Sequence, residues 1–431
     1  MPTATTVDVA TDREDEGRAP LRADRRIASL DVLRGFALLG ILVLNIEDFS
    51  GPEALHDIPV GMAKEAFTGW HAHLDLVILT VKWLFFEGKM RALFATLFGA
   101  GCVLLTERIE RRRPGHAADI FQRRSLWLAL FGIIHGIFIW GGDILFIYGL
   151  NALLFLYPLR HVAAKRLMGI GLALAVLGGT LGIANFSSDP SPPQDSRVEE
   201  QVAQERADIA KEVVQAVSQS YPEEVRQRAK GYFGFFLSLV RSGWMAEVTG
   251  MLMFGMGLYK TGFLSAEKSP RVYATTALIG YAVAMPVVLL GIHEASLEGF
   301  SNAAAAKWMY LPYGLQQIPA MIANASVILL LVRLGWLKAV QRALANVGRT
   351  AFTNYIGTSL LCQFLFLWGP WPLYGALDYY QQIYVVAAVW AVNIAASSLW
   401  LRHFSQGPLE WVWRSLTYWN RQPLRAAATE A

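Results

Sequence analysis

Cysteine and charged residues are both scarce in this chain. Of its 431 residues only Cys102 and Cys362 are cysteines, and both lie inside apolar runs. That placement argues against a disulfide scaffold and against a metal cluster held by cysteines. Charged residues make up 17% of the chain, against roughly a quarter in soluble domains, whereas 54% of the residues are hydrophobic. The composition therefore excludes a disordered or fibrous protein and predicts a membrane protein with many spans.

The sequence also lacks the common motifs of soluble nucleotide-binding and hydrolytic enzymes. It has no Walker loop, no G-x-G-x-x-G after a strand and no G-x-S-x-G elbow. His71 and Asp75 are spaced i, i+4, but no further ligand accompanies them, so no metal site is expected. The net charge of +4 is small, which argues against nucleic acid as the main partner. The lipid bilayer is the expected partner.

Apolar runs long enough to cross a bilayer recur along the chain. A helix needs about 20 mostly apolar residues to span roughly 30 Å of hydrocarbon. Ten runs approach this length, at about 31–49, 90–106, 125–141, 144–160, 166–185, 243–260, 272–292, 313–333, 350–368 and 381–401. We therefore predict an all-α polytopic transmembrane helix bundle, with about ten membrane-spanning helices plus interfacial helices.

Arginines set the predicted orientation. The loop 107–124 carries six arginines and therefore belongs in the cytoplasm. With a cytoplasmic N-terminus the chain must cross twice before this loop, so the segment 72–86 is predicted to lie on or dip into the outer face. Its apolar residues form one stripe, with His71, Asp75 and Lys82 near the other side. Both chain termini are then cytoplasmic.

The spans divide the chain into membrane halves, a loop and two tails. The predicted regions are a disordered cytoplasmic tail at 1–24, a first membrane half with spans one to five at 25–185, an extracytoplasmic loop at 186–242, a second membrane half at 243–401 and a cytoplasmic interfacial tail at 402–431. Within the loop, 197–217 is predicted to be an amphipathic helix and 231–241 a short interfacial segment.

Polar residues inside the predicted spans are costly, so each needs a partner or a function. Asp31 and Arg34 open span one on a shared helix face, where an ion pair alone would explain them. Hydrogen bonding between helices would likewise explain Asn45, Asn354 and Tyr355. These side chains are nevertheless the candidates for a functional site.

His135 is the one histidine placed well inside a predicted span. Asp143 follows eight residues later, roughly 12 Å along a straight helix. A direct hydrogen bond between the two is therefore not expected. A buried structural histidine and a functional histidine both fit this pattern.

Five motifs along the chain resemble those of the YeiB family of bacterial membrane proteins. They occupy residues 26–41 with Asn45, 97–101, 132–136 with 142–145, 348–355 and, most specifically, 404–417. The motifs run in the order the family shows. The resemblance implies a multi-pass protein of the bacterial inner (cytoplasmic) membrane.

The first-span motif is also similar to that of the transmembrane acyltransferases. These include the bacterial cell-envelope O-acyltransferases and the lysosomal heparan-α-glucosaminide N-acetyltransferase. The resemblance implies that acyl-CoA enters from the cytoplasmic side and that its acyl group passes to a sugar on the far side. Arg34 matches the motif arginine, and Asn45 falls where the O-acyltransferases carry a histidine and the lysosomal enzyme an asparagine. His56 lies in the outer loop that holds the lysosomal enzyme's catalytic histidine.

Two functions of different classes fit these observations. The first is an acyltransferase that moves an acyl group from cytoplasmic acyl-CoA to a hydroxyl or amine of an extracytoplasmic glycan, glycoconjugate or small molecule. No permanently bound cofactor is expected, and acyl-CoA is the candidate co-substrate. The alternative is a transporter of a small molecule, which the even division into five and five spans would suit. Both are compatible with a homo-oligomer.

The acyltransferase hypothesis assigns three sets of residues. Acyl-CoA would be bound by Arg34, Arg349 and Asp31. Catalysis would rest on His135 as the base, with Asn45 or Asn354 donating to the developing oxyanion and Asp143 either orienting a base or binding the acceptor sugar. The acceptor would be bound by Asn354, Tyr355 and His56.

Overall fold

The computed structural model describes residues 28–52, 69–186, 198–300 and 302–425. Within these ranges the chain forms helices and no β-strand, which confirms the all-α prediction. The helices are α1 Ala28–Ser50, α2 Ala72–Val81, α3 Lys89–Arg112, α4 Ala117–Phe138, α5 Leu145–Asn151, α6 Ala164–Phe186, α7 Val198–Ser218, α8 Tyr221–Arg241, α9 Trp244–Lys260, α10 Pro270–Leu297, α11 Asn302–Ala305, α12 Tyr313–Leu334, α13 Lys338–Arg349, α14 Ala351–Gln363, α15 Tyr379–Trp400 and α16 Pro408–Tyr418.

Four of these helices continue into a wide π-helical turn. The turns are Lys82–Phe86 after α2, Ala152–Leu156 after α5, Ala306–Tyr310 after α11 and Phe364–Trp368 after α14. After α5 the chain adds one more short helical turn at Tyr157–Leu159, so that Leu145–Leu159 forms one apolar helical unit.

Helices long and apolar enough to cross a membrane occur in both halves of the described chain. They are α1, the stretch Ala72–Arg112 that contains α2 and α3, α10, α12 and α15. Each of the ten apolar runs found in the sequence coincides with a helical segment. The number of crossings, ten, stays a prediction.

Helix α4 has an apolar surface and a polar interior side. After the first turn, where Asp119 is exposed, its outward residues lie four apart, are 41–59% exposed and are apolar: Leu126, Leu130, Ile134 and Phe138. The opposite side buries Ser125 and His135. A helix in water has the reverse arrangement, with polar residues outside. An apolar exterior around buried polar side chains is the arrangement that a lipid bilayer requires.

Helix α2 shows the same inversion. The segment predicted at 72–86 is helical and has an exposed apolar stripe, as expected, but its buried side holds Leu79 and Trp83 beside the polar groups. The apolar side, with Leu74 and Val77, is exposed, whereas Asp75 and Lys82 are buried. His71 Nδ1 lies 2.6 Å from Asp75 Oδ2, and Lys82 Nζ donates to Glu47 Oε2 at 2.6 Å. The polar side therefore docks α2 onto the bundle.

The loop between the two predicted halves contains two helices. The helix predicted at 197–217 coincides with α7, and its amphipathic character stays a prediction. The prediction of a short separate segment at 231–241 is wrong, because these residues are the second half of the 21-residue helix α8. Pro222 in the first turn and two following glutamates suit a helix start at Tyr221, almost three turns before the start of the predicted segment at 231. The predicted tail at 1–24 lies outside the described residues.

Two glycines allow α1 and α13 to cross in close contact. A Cβ atom added to Gly348 would overlap the carbonyl oxygen of Asp31, and one added to Gly35 would overlap that of Leu344. Such small residues let helix backbones approach directly. The crossing brings the start of α1, with Arg34, beside the end of α13: Arg34 Nη1 lies 3.5 Å from the carbonyl oxygen of Gly348.

We predict that Gly348→Ala destabilises the protein, because its methyl group has no room at the α1–α13 crossing. Overpacking of this kind costs about 1–3 kcal/mol. The apparent melting temperature of the purified protein in detergent measures the effect. Gly357→Ala, in α14, is the matched control because a Cβ there meets no atom within 4 Å. Equal melting temperatures for the two variants would contradict the close crossing.

Candidate functional site

A cavity of about 280 Å³ opens among seven helices at the end of the bundle where α1 begins and α3 ends. Its walls come from α1, α3, α4, α5, α13, α14 and α16. Small-molecule sites span about 300–1,000 Å³, so this volume lies near their lower limit. It suits a slender chain better than a bulky group.

Arginine side chains dominate the charge of this cavity. The five in its lining are Arg34, Arg108, Arg124, Arg349 and Arg414, against two carboxylates, Asp31 and Glu410. We call it the arginine cavity. Arg34 donates to Asp31 at 2.8 Å, and the Arg124 guanidinium stacks on the Trp413 ring at 3.5 Å. The excess of cations makes the cavity a candidate site for an anion.

Arg349 has a donor available in this cavity. Its Nη2 donates to the carbonyl oxygen of Ser405 at 3.1 Å. Its Nε is buried and has no hydrogen-bond partner in the part of the chain that the structure describes. A buried donor without a partner is costly, so an anion that reached Nε would gain a strong hydrogen bond.

The cavity becomes aromatic and apolar away from the arginines. Phe94 lies on α3 almost four turns before Arg108, and Leu128 lies on α4 one turn beyond Arg124. Tyr355 lines the cavity on α14, further from the arginine end than Arg349. An elongated ligand would therefore meet cations at one end and an apolar wall at the other.

His135 and Asp143 are in direct contact behind that wall. Their nearest atoms, Nδ1 and Oδ1, are 2.9 Å apart, and each side chain is only 1% exposed. The expectation that they would not pair is wrong because the helix does not continue between them. Helix α4 ends at Phe138, and the chain then turns back through residues 139–144. Asp143 Oδ2 accepts from the backbone N–H of Phe146, in the first turn of α5.

Ser359 completes this arrangement. Its Oγ lies 3.0 Å from His135 Nε2. An ionised carboxylate only accepts hydrogen bonds, so Asp143 places the imidazole proton on Nδ1 and leaves Nε2 to accept from the serine hydroxyl. We call Asp143, His135 and Ser359 the His135 group. No sequence signal points to Ser359, because a single serine in an apolar helix has no distinguishing pattern.

Tyr355 stands between the arginine cavity and the His135 group. Its ring centroid is 5.0 Å from that of His135, and its side chain also lines the cavity. The Tyr355 hydroxyl accepts from the backbone N–H of Ile144 at 3.3 Å. Tyr355 is therefore the contact through which a ligand in the cavity would approach the imidazole.

Glu410 of α16 ties the C-terminal helix to the start of α14. Its Oε1 accepts from the backbone N–H of Phe352 at 2.7 Å, and its Oε2 accepts from the Thr353 hydroxyl at 2.6 Å. These contacts satisfy donors in the first turn of α14, where an anion also suits the helix dipole. Burial raises the pKa of Glu410, while the hydrogen bonds from Thr353 oppose that shift.

The structure brings together some of the predicted site residues and separates others. Asp31, Arg34, Arg349 and Tyr355 all line the arginine cavity. Asn354 donates to Thr350 Oγ1 at 2.9 Å and to Ser397 Oγ at 2.8 Å, which joins α14 to α15. Asn45 is half-buried in α1 and is not part of the cavity lining. His56 lies outside the described residues.

Three cavity arginines escaped the sequence analysis as site residues. Arg108 and Arg124 belong to the arginine-rich loop 107–124, whose sequence indicates only orientation, and Arg414 belongs to the predicted interfacial tail at 402–431. Their clustering depends on three helices, α3, α4 and α16, that meet only in the folded chain. The charge of the loop and the tail was the only sequence signal for these arginines, and it does not indicate which of them line a cavity.

We predict that Glu410→Ala lowers stability by about 1–3 kcal/mol, because buried donors at the start of α14 lose their acceptor. Glu410→Gln keeps one acceptor oxygen and should lose less. The apparent melting temperatures of the two variants, measured side by side in detergent, test this order. A Glu410→Ala protein as stable as the unmodified chain would show that α14 does not depend on this contact.

The exposed apolar helix faces and the buried polar groups define a helical membrane protein with an arginine-lined cavity at one end. Residues 258–420 match the family model described as "Protein of unknown function (DUF418)". The chain is 33% identical over 399 residues to the protein named "Uncharacterized protein YeiB" of Escherichia coli (strain K12), covering 91% of this chain and 96% of that relative. It belongs to the YeiB family.

A Bacillus relative extends the similarity. The protein named "Uncharacterized protein YxaH" of Bacillus subtilis (strain 168) is 29% identical over 420 residues, covering 94% of this chain and 97% of that relative. The family resemblance noted from the short motifs therefore extends along nearly the whole chain.

Proposed function

We propose that the protein is an acyltransferase that takes an acyl group from acyl-CoA on one side of the membrane and passes it to a hydroxyl or amine of an acceptor on the other. One observation carries the proposal: the arginine cavity reaches Tyr355, and Tyr355 contacts a histidine that is hydrogen-bonded to a carboxylate. An anion site and a candidate base thus lie on the two sides of one side chain.

The arginine end of the cavity suits the phosphates of coenzyme A. Arginine presents a planar fork of donors that matches phosphate oxygens. Arg34 and Arg349 line this end, and the Nε of Arg349 has no hydrogen-bond partner among the described residues. The positive-inside rule predicts that the same end faces the cytoplasm, where acyl-CoA is found. The apolar remainder of the cavity would receive the slender pantetheine arm and the acyl group.

The His135 group supplies the proton chemistry that the transfer needs. An acceptor hydroxyl or amine must lose a proton as it attacks the thioester carbonyl, and the departing thiolate of CoA must gain one. Nε2 of His135 is the nitrogen able to accept that proton, since Nδ1 already donates to Asp143. Asp143 holds the ring in this tautomer and stabilises the imidazolium that forms.

We predict that Arg34→Ala weakens the binding of acetyl-CoA at least tenfold. A hydrogen bond to a charged group contributes about 1.5–3 kcal/mol, which corresponds to roughly 10-fold to 100-fold in the dissociation constant. The measurement is the thermal shift of the purified protein with acetyl-CoA, compared with free CoA and an unrelated nucleotide. A ligand at one hundred times its dissociation constant stabilises the folded state by about 2.7 kcal/mol.

Arg111→Ala is the matched control for Arg34→Ala. Arg111 lies on the last turn of α3, its side chain is 76% exposed, and it does not line the cavity. The control variant should bind acetyl-CoA like the unmodified chain. Equal affinities for all three proteins would remove Arg34 from the binding site, and a folded unmodified chain without any CoA-dependent shift would remove the acyltransferase proposal itself.

We predict that His135→Gln keeps acetyl-CoA binding but lowers acyl transfer at least about a hundredfold, because glutamine cannot take the proton. General acid–base groups contribute roughly 10²–10⁴-fold to rate. Transfer is followed as CoA release in membranes that supply the native acceptor, and binding as the thermal shift. Loss of folded protein in proportion to the loss of transfer would identify His135 as a structural residue.

The transporter alternative has one observation in its favour. A chain of charges, buried at Lys82 and Glu47 and partly exposed at Arg91, joins α1, α3 and the π-helical turn after α2, away from the cavity lining: Lys82 Nζ lies 2.6 Å from Glu47 and 3.7 Å from Glu87, and Arg91 lies 3.4 Å from Glu87. Intramembrane charges of this kind often mark ion or substrate paths. Uptake of a solute by vesicles without acyl-CoA would support this alternative over the transferase.

A further inference from the structure

The His135 group has the connectivity that activates a serine nucleophile. Asp143 contacts His135 Nδ1 at 2.9 Å, and Ser359 Oγ contacts Nε2 at 3.0 Å. In this arrangement a carboxylate orients the imidazole through one nitrogen, and the other nitrogen is hydrogen-bonded to a hydroxyl. The same arrangement serves covalent acyl transfer on unrelated folds. We propose that Ser359 carries the acyl group as an ester between acyl-CoA and the acceptor. This inference rests on the proposed acyltransferase function.

Burial of the three side chains favours such a reaction. His135 is 1% exposed and Ser359 is 2% exposed, so water does not surround the hydroxyl. The Ser359 hydroxyl has a second, longer contact with the carbonyl oxygen of Tyr355, at 3.3 Å. The imidazole nitrogen is the closer acceptor. Exclusion of water also protects the serine ester from hydrolysis until the acceptor binds.

Ser359 lies on the helix face that leads to the cavity. Tyr355 and Ser359 are four residues apart on α14 and therefore share a face, about 6 Å apart along the axis. Tyr355 lines the arginine cavity. An acyl group that reaches the apolar end of the cavity is thus one helical turn from the Ser359 hydroxyl.

The reaction proceeds in two balanced steps. First, Ser359 Oγ attacks the thioester carbonyl while its proton moves to His135 Nε2; the carbon–sulfur bond breaks, and the thiolate takes that proton and leaves as CoA. Second, the acceptor hydroxyl or amine gives its proton to Nε2 and attacks the serine ester. The bond from carbon to Oγ breaks, and Oγ regains a proton from His135. The sum is acyl-CoA plus acceptor giving acylated acceptor plus CoA.

This route separates the two substrates in time. Acyl-CoA binds from the arginine end and CoA leaves before the acceptor reacts. Neither substrate has to share the cavity with the other, which suits a volume near the lower limit of small-molecule sites. The kinetic consequence is a ping-pong mechanism, with stoichiometric CoA release when no acceptor is present.

The experiment incubates the full-length protein in detergent with radiolabelled acetyl-CoA and no acceptor. We expect stoichiometric CoA release and a label that survives denaturation, resists neutral hydroxylamine and maps by mass spectrometry to the peptide with Ser359. Ser359→Ala should bind acetyl-CoA but take no label. Ser359→Cys should take a label that hydroxylamine removes, because a thioester replaces the ester.

Thr358→Ala is the matched control, since Thr358 is the neighbouring hydroxyl on α14 and accepts instead from Asn393 Nδ2 at 2.8 Å. It should label like the unmodified chain. A protein that binds acetyl-CoA but takes no label would overturn the serine ester and leave the transferase with direct transfer. Labelling that persists in Ser359→Ala would also overturn it. Absence of acetyl-CoA binding would overturn this inference together with the proposed function.

Discussion

Polar groups buried away from both water and lipid must find partners inside the helix bundle, and much of this structure follows from that constraint. An unpaired charge or hydrogen-bonding group in an apolar medium costs several kcal/mol. Lys82 therefore lies against Glu47, and His135 lies between Asp143 and Ser359. These contacts join helices that are distant in sequence. They hold the bundle in one arrangement, while apolar side chains cover its outer surface.

The same constraint explains how the two parts of the site are connected. Glu410 enters from α16 to satisfy donors at the start of α14, and Gly348 lets α13 lie directly on α1. Both contacts are made at the arginine end. They set the position of α14, which carries Tyr355 and Ser359 towards His135. The arginine cavity and the His135 group are therefore linked through one helix, α14.

Sequence reasoning located most of the helices but mistook what happens between them. The separation expected between His135 and Asp143 is that of a straight helix, although the predicted span ends at residue 141 and Gly141 and Gly142 lie just before Asp143. The turn after Phe138 reverses the chain and closes the distance. Likewise, Asp31, Arg34 and Arg349 line one cavity, and so do Arg108 and Arg124, for which the sequence indicates only orientation. A charge in a loop shows which side of the membrane it favours, but not which cavity it enters.

The sequence by itself determined that the protein is helical, lies in a membrane and belongs to its family, because apolar run length and motif order are properties of the linear chain. Only the tertiary structure decided which polar residues meet. Ser359 lies 224 residues from His135, and the chain that separates them carries no pattern that predicts their contact. Hydrogen bonds act over about 3 Å, so their partners are chosen by how helices pack and where they break.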